Sequence, residues 1–242
     1  MGEAAFWGFV GASSLIVAAE FAFAFKLSRM VIGLIMAFGV GALISSVSFE
    51  LVAPAMDVAD TWKVAVGLAL GSAVFFLGDR AIANMGGGNR KSPDGSDGGG
   101  SGLGIVLGTV LDGIPESAVL GMSLVGGGGV SVALLAGIWV SNFPESLGST
   151  VGLTKGGWQK NKIRLLWLGI VLVSALSAAI GYVIVNNISA LSGVLVESFA
   201  AGALLTMIAD EMAPEAFDRS AIYAGLATVA GFALAAWLTS VG

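Results

Sequence analysis

Eight mostly apolar stretches, separated by polar or glycine-rich connections, set the pattern of this chain: 5–26, 30–53, 62–83, 102–125, 130–154, 164–186, 191–213 and 220–241. A helix needs roughly 20 apolar residues to cross about 30 Å of hydrocarbon. Every stretch meets that length. The pattern therefore predicts an all-α membrane protein of eight transmembrane helices, forming a single transmembrane domain over 1–242. The one long connector, Asn84 to Ser101, is rich in Gly, Ser, Asp and Asn and reads as a flexible, solvated loop. Gly126 to Gly129 predicts a tight turn between the fourth and fifth stretches. The N-terminus has no basic n-region and no small-residue cleavage site, so Phe6 to Phe25 is expected to be a retained first span.

Basic residues orient these spans. With alternating crossings, Lys26, Arg29, Arg80, Arg90, Lys91, Lys155, Lys160, Lys162, Arg164 and Arg219 all fall at connections on one side, and Lys63 alone falls on the other. Cytoplasmic loops carry the excess of Lys and Arg. Both termini are therefore expected outside and the loop 84–101 in the cytoplasm, in a cell (inner) membrane.

A repeat is visible within the pattern. Gly41-Ala42-Leu43-Ile44-Ser45 is followed by Glu50 and Pro54, and Gly202-Ala203-Leu204-Leu205-Thr206 by Glu211 and Pro214. Each glutamate lies nine residues after its glycine. The second and seventh spans cross in opposite directions, so the repeat (spans 1–3 and 6–8) is inverted around spans 4 and 5. Inverted repeats around interrupted helices are a mark of secondary transporters.

Composition sharpens this picture. Of 242 residues, 56% are hydrophobic and 11% charged, with mean hydropathy +0.93. Soluble domains carry about 25% charged residues, so little sequence is left for one here. There is no cysteine and no histidine. That excludes disulfides, thiolate metal sites and histidine proton relays.

The candidate chemistry sits in two spans that each carry Pro-Glu-Ser: Asp112-Gly113-Ile114-Pro115-Glu116-Ser117 and Ser141-Asn142-Phe143-Pro144-Glu145-Ser146. A charge at the bilayer centre costs about 2.5–3.5 kcal/mol even on lenient insertion scales, and such residues face a bundle interior or a watery cavity. Asp112 and Glu116 are four apart and share a helical face. Pro115 donates no N–H and disturbs the carbonyl of Leu111. Asn142 and Glu145 are three apart, with Ser141 adjacent and Pro144 kinking the span. Crossing the two spans at their prolines is expected to gather Asp112, Glu116, Asn142, Glu145 and Ser141 into one oxygen cage for a cation. No lysine or arginine lies within any predicted span interior to neutralise the acids, which are tolerable if protonated or holding a cation. Structural acids hydrogen-bonded between helices are the alternative. Glu50, Asp210 and Glu211 are read as gate or pathway acids, and Glu20 and Glu197 as proton-handling or interhelical hydrogen-bonding groups.

In this order and topology the motifs resemble those of the ZIP (Zrt/Irt-like) divalent metal transporters, particularly the short prokaryotic ones. Asp112-Gly113-Ile114-Pro115-Glu116 and Ser141-Asn142-Phe143-Pro144-Glu145 fall where that family's His-Asn-x-Pro-Glu-Gly-type motifs fall. Ser48 to Pro54 and Asp210 to Glu215 look like its second- and seventh-span signatures. Asp112 and Ser141 stand where the family places metal-binding histidines, and the sixth span carries no carboxylate. The resemblance implies a non-enzymatic carrier that moves divalent metal cations toward the cytoplasm, the bundle with the site moving against a scaffold of other helices. It implies no prosthetic group, the metal ion being the substrate. The family prior is zinc or iron, whereas an all-oxygen ligand set favours Mg, Ca or Mn. The expected partners are divalent metal ions and the lipid bilayer, without nucleic acid; a homodimer is compatible with the pattern. Two other readings stay open: a ZIP-like metal-binding or sensing protein without transport, and a proton-coupled carrier of another substrate.

Overall fold

The computed structural model describes residues 1–84, 102–125 and 129–241, and among these every regular element is a helix. In chain order they are α1 (Gly2–Ala12), α2 (Ser14–Ala24), α3 (Arg29–Val47), α4 (Ala53–Val58), α5 (Thr61–Ile82), α6 (Gly102–Met122), α7 (Val132–Lys155), α8 (Lys160–Asn186), α9 (Ala190–Met207), α10 (Ala213–Ser220) and α11 (Ala224–Val241). Each of the eight predicted stretches falls on one of these helices or on a run of adjoining ones. Among the described residues, five runs are long and apolar enough to cross a membrane: Gly2–Ala24, Arg29–Val58, Thr61–Ala81, Lys160–Asn186 and Ser192–Val241. The glycine-rich loop lies outside the described residues from position 85 to 101. Of the predicted 126–129 turn only Gly129 is described, at φ +79°.

Serine hydroxyls start three of the helices. Ser28, Ser131 and Ser189 accept from the N–H groups of Val31, Leu134 and Ser192, capping donors that have no intrahelical partner. Large apolar side chains on α5, α8 and α11, such as Leu70, Leu172 and Leu226, point outward. In water such a surface would be anomalous; against lipid it is expected.

Close glycine contacts fix how the helices cross. A Cβ on Gly41 would fall 1.8 Å from the Thr228 carbonyl oxygen, and one on Gly231 1.9 Å from that of Phe38. These two glycines bring α3 and α11 backbone to backbone. Gly71 and Gly202 do the same for α5 and α9, at 1.8 Å from Phe199 O and 2.1 Å from Leu68 O. Gly41 and Gly202, the glycines of the sequence repeat, thus perform the same packing task. The partners also give directions. Gly41 meets Thr228 while Glu50 meets Thr239, so α3 and α11 run parallel. Gly39 lies against Ser141 and Gly137 against Leu43, so α3 and α7 run antiparallel.

The prolines act differently from expectation. α6 and α7 continue through Pro115 and Pro144 without a break. The interruptions fall instead in the repeated segments, where Ser48–Val52 joins α3 to α4 and Ile208–Met212 joins α9 to α10 as π-helical turns. Ala53 N–H bonds Ser48 O and Ala213 N–H bonds Ile208 O, each five residues back. The physical reason is local. Pro54 and Pro214 follow at once and offer no N–H to a carbonyl four residues earlier, and the wider turn re-registers the chain around that lost bond.

Candidate cation site

Pro115 and Pro144 leave α6 and α7 intact, so their acids project from regular helical faces. Asp112 and Glu116 on α6 are buried, as are Ser141 and Asn142 on α7; Glu145 is partly buried. The Oδ1 of Asp112, Oε2 of Glu116 and Oε1 of Glu145 are each wholly shielded from solvent. Ser141 Oγ joins the two helices: its proton is shared between Glu116 Oε1 at 3.3 Å and the Ile138 carbonyl at 2.9 Å. Among the described residues no three Asp or Glu side chains close into one metal-binding group. The predicted oxygen donors stand along the α6–α7 pair, which the Ser141–Glu116 hydrogen bond ties together.

α7 is anchored just past these donors. Ser146 Oγ donates to the Leu15 carbonyl of α2 at 2.5 Å, and Trp167 Nε1 of α8 donates to Thr150 Oγ1 at 2.8 Å. Both fix α7 relative to its neighbours directly beyond Glu145. On the α3 side, a Cβ on Gly39 would stand 3.1 Å from the Ser141 Cα, so the α3 backbone walls the site at that level.

A cleft of about 510 Å³ opens at the start of α7, walled by Ser131, Val132 and Ala133 together with Glu50, Glu197 and Thr239. Glu50 Oε1 accepts from Thr239 Oγ1 at 2.8 Å. Two of the acids singled out in the sequence therefore share one cavity, although Glu197 offered no specific role beforehand. Asp210 lies elsewhere, exposed on a shallow groove between α5 and α9 beside Thr206 and Ser72, whose hydroxyls bond at 2.8 Å. Glu211 is partly buried in the same π turn. Glu20 is half exposed and takes both of its carboxylate oxygens to Arg164, at 2.5 and 2.8 Å. It is an ion-pairing residue of α2 and α8.

Arg219, at the connection between the predicted spans 191–213 and 220–241, is buried on α10. Its side chain is only 2% exposed and donates to Glu215, four residues earlier on α10. A Cβ on Gly148 would come within 3.5 Å of its Nη2. Gly148 lies three residues after Glu145, roughly 4.5 Å along α7. A guanidinium thus packs on the helix that carries half of the site. The signal available was the Glu215–Arg219 spacing of four, which pairs side chains on a helix; nothing in it announced burial. Neither a family model nor a curated protein matches this chain.

Proposed function

We propose that the chain is an eight-span integral membrane carrier that moves divalent metal cations toward the cytoplasm by alternating access, through the carboxylate-rich site on α6 and α7. The observation that carries this reading is the buried set of oxygen groups, Asp112, Glu116, Ser141 and Asn142 with Glu145 beside them, on two packed membrane-length helices. Buried intramembrane acids mark ion pathways by default, and carboxylate, amide and hydroxyl oxygens suit hard divalent ions. The cleft at the start of α7 supplies a water-accessible approach lined by two further carboxylates. The paired helix–π–helix runs, with Gly41 and Gly202 in equivalent packing, support an inverted repeat of the ZIP kind. In this reading both termini lie outside, in the inner membrane.

The test is uptake of Mn, Zn, Fe, Co and Cd by purified protein in liposomes. Native protein should accumulate at least one of them, and Glu116→Ala and Glu145→Ala should each abolish it. No flux of any of the five, with both variants indistinguishable from native, would sink the proposal. Binding without flux would select the sensing reading instead.

A further inference from the structure

α3 and α7 lie antiparallel, and both report the same order of features. Along α7 come the cleft at Val132 and Ala133, the site at Ser141 to Glu145, and then Gly148 under Arg219. Along α3 and its π turn, in reverse, come Glu50 in the cleft, Gly39 against Ser141, and Gly33 against Arg219. At 1.5 Å per residue, the cleft begins about 12 Å before Ser141, and Arg219 packs about 4.5 Å beyond Glu145. Cleft and arginine are on opposite sides of the site. Beyond the site the α7 segment Ser146 to Thr150 is wholly buried.

Arg219 has a built seat. A Cβ on Gly33 would fall 2.6 Å from its Cβ, so α3 approaches it there only because position 33 is glycine. The guanidinium lies beside Gly148 of α7, where even a Cβ would stand 3.5 Å away in ordinary contact, and Glu215 accepts its hydrogen bond from within α10. α10 in turn is jointed at both ends. Before it lies the π turn Ile208–Met212 with Pro214, and after it Ala221 at φ +48°, ψ −127°. Positive φ strains a residue with a Cβ, and strain of this kind concentrates at switch regions. Glu215 and Arg219 share α10, so they travel as one unit when it moves.

We propose that Arg219 is a tethered cation that closes the site on the side away from the cleft, and that α10 swings on its two joints to release it. While seated, the guanidinium both fills the space beside Gly148 and repels a divalent ion next to Glu145. When α10 withdraws from Gly33 and Gly148, the way past the site opens. This rests on reading α6 and α7 as a cation site, but its test does not need a metal.

The chain has no native cysteine, so one introduced thiol reports without interference. Ser149→Cys, buried next to Gly148, is reacted with a neutral, hydrophilic maleimide in detergent without metal, which removes any charge bias of the reagent. Arg219→Met removes the charge and keeps bulk. Gly33→Ala keeps the charge and unseats the arginine sterically, so it decides the question if Arg219→Met fails to fold. Gly148→Ala is the control, since its Cβ would make only ordinary contact. Labelling is expected to rise about tenfold in Arg219→Met and in Gly33→Ala, reflecting a shifted closed–open population, and to stay at the native rate in Gly148→Ala. No rise in either of the first two overturns the gate. If native protein neither binds nor moves metal while the thiol still becomes reactive, the gate stands and the cation reading falls.

Discussion

Ser141 Oγ donates to Glu116 Oε1 across 3.3 Å and thereby ties α7 to α6 at the level of the buried acids. A hydrogen bond to a charged group contributes about 1.5–3 kcal/mol. Ser141→Ala should therefore weaken metal affinity by about tenfold or more while maximal uptake falls less, because no carboxylate is removed. Calorimetric titration with Mn²⁺, set against uptake at saturating metal, separates the two effects. An unchanged affinity would remove Ser141 from the site.

In the proposed ZIP-like reading, Asp112 takes a position where that family carries a histidine. Asp112→His introduces a nitrogen ligand into an all-oxygen set, and zinc favours nitrogen where manganese favours oxygen. Competition between Zn²⁺ and Mn²⁺ during uptake should shift toward zinc. A shift toward manganese would contradict the assignment of Asp112 as a ligand.

Backbone contact at the repeated glycines makes a sharp stability prediction. Gly41→Ala would set a Cβ 1.8 Å from the Thr228 carbonyl, and overpacking of this kind typically costs about 1–3 kcal/mol. Gly202→Ala, at 2.1 Å from Leu68 O, should behave alike. Gly169→Ala, with nothing within 4 Å, should be neutral or slightly stabilising, since alanine gains up to about 1 kcal/mol over glycine in a helix. Thermal unfolding in detergent ranks the three.

Glu20 and Arg164 form a half-exposed pair. Such exposed pairs contribute little and are screened by salt. Glu20→Gln should lower the melting temperature slightly at low ionic strength and hardly at all at high. Uptake should be unaffected, whereas a proton-relay role for Glu20 would abolish it.

Much of the helical layout was legible because membrane length and apolarity are local properties. The spacing of Gly41 and Gly202 with Glu50 and Glu211 also pointed to two segments that the structure gives matching π turns. Two features were not. Pro115 and Pro144 looked like the breaking points, yet α6 and α7 absorb them. Pro54 and Pro214 displace the register instead, through π turns whose width depends on a bond five residues back. Arg219 was hidden because the apolar run ends near Ala213 and the following Glu-Ala-Phe-Asp-Arg reads as a solvated connection. Its burial depends on the close approach of Gly33, distant in sequence, and no window of neighbouring residues contains that information.

Replacing Pro54 or Pro214 by alanine restores the missing N–H, and the preceding carbonyl can then be met in ordinary α register. Each variant should fold, bind metal as native protein does, and transport more slowly. A native transport rate in both would deny the π turns a part in the cycle.

Those turns carry a consequence for how the chain stores motion. A π turn holds one residue more than an α-helix needs for the same backbone bonds, so Ser48–Val52 and Ile208–Met212 are each a single residue of slack. Slack of this kind can pass along a helix one position at a time. Each residue the turn passes rotates by about 100° and advances about 1.5 Å, while the segments on either side keep their register. Glu50 and Glu211 sit inside these turns. They can therefore be carried from one surface of their helices to another by a peristaltic shift that leaves both ends of the helix anchored.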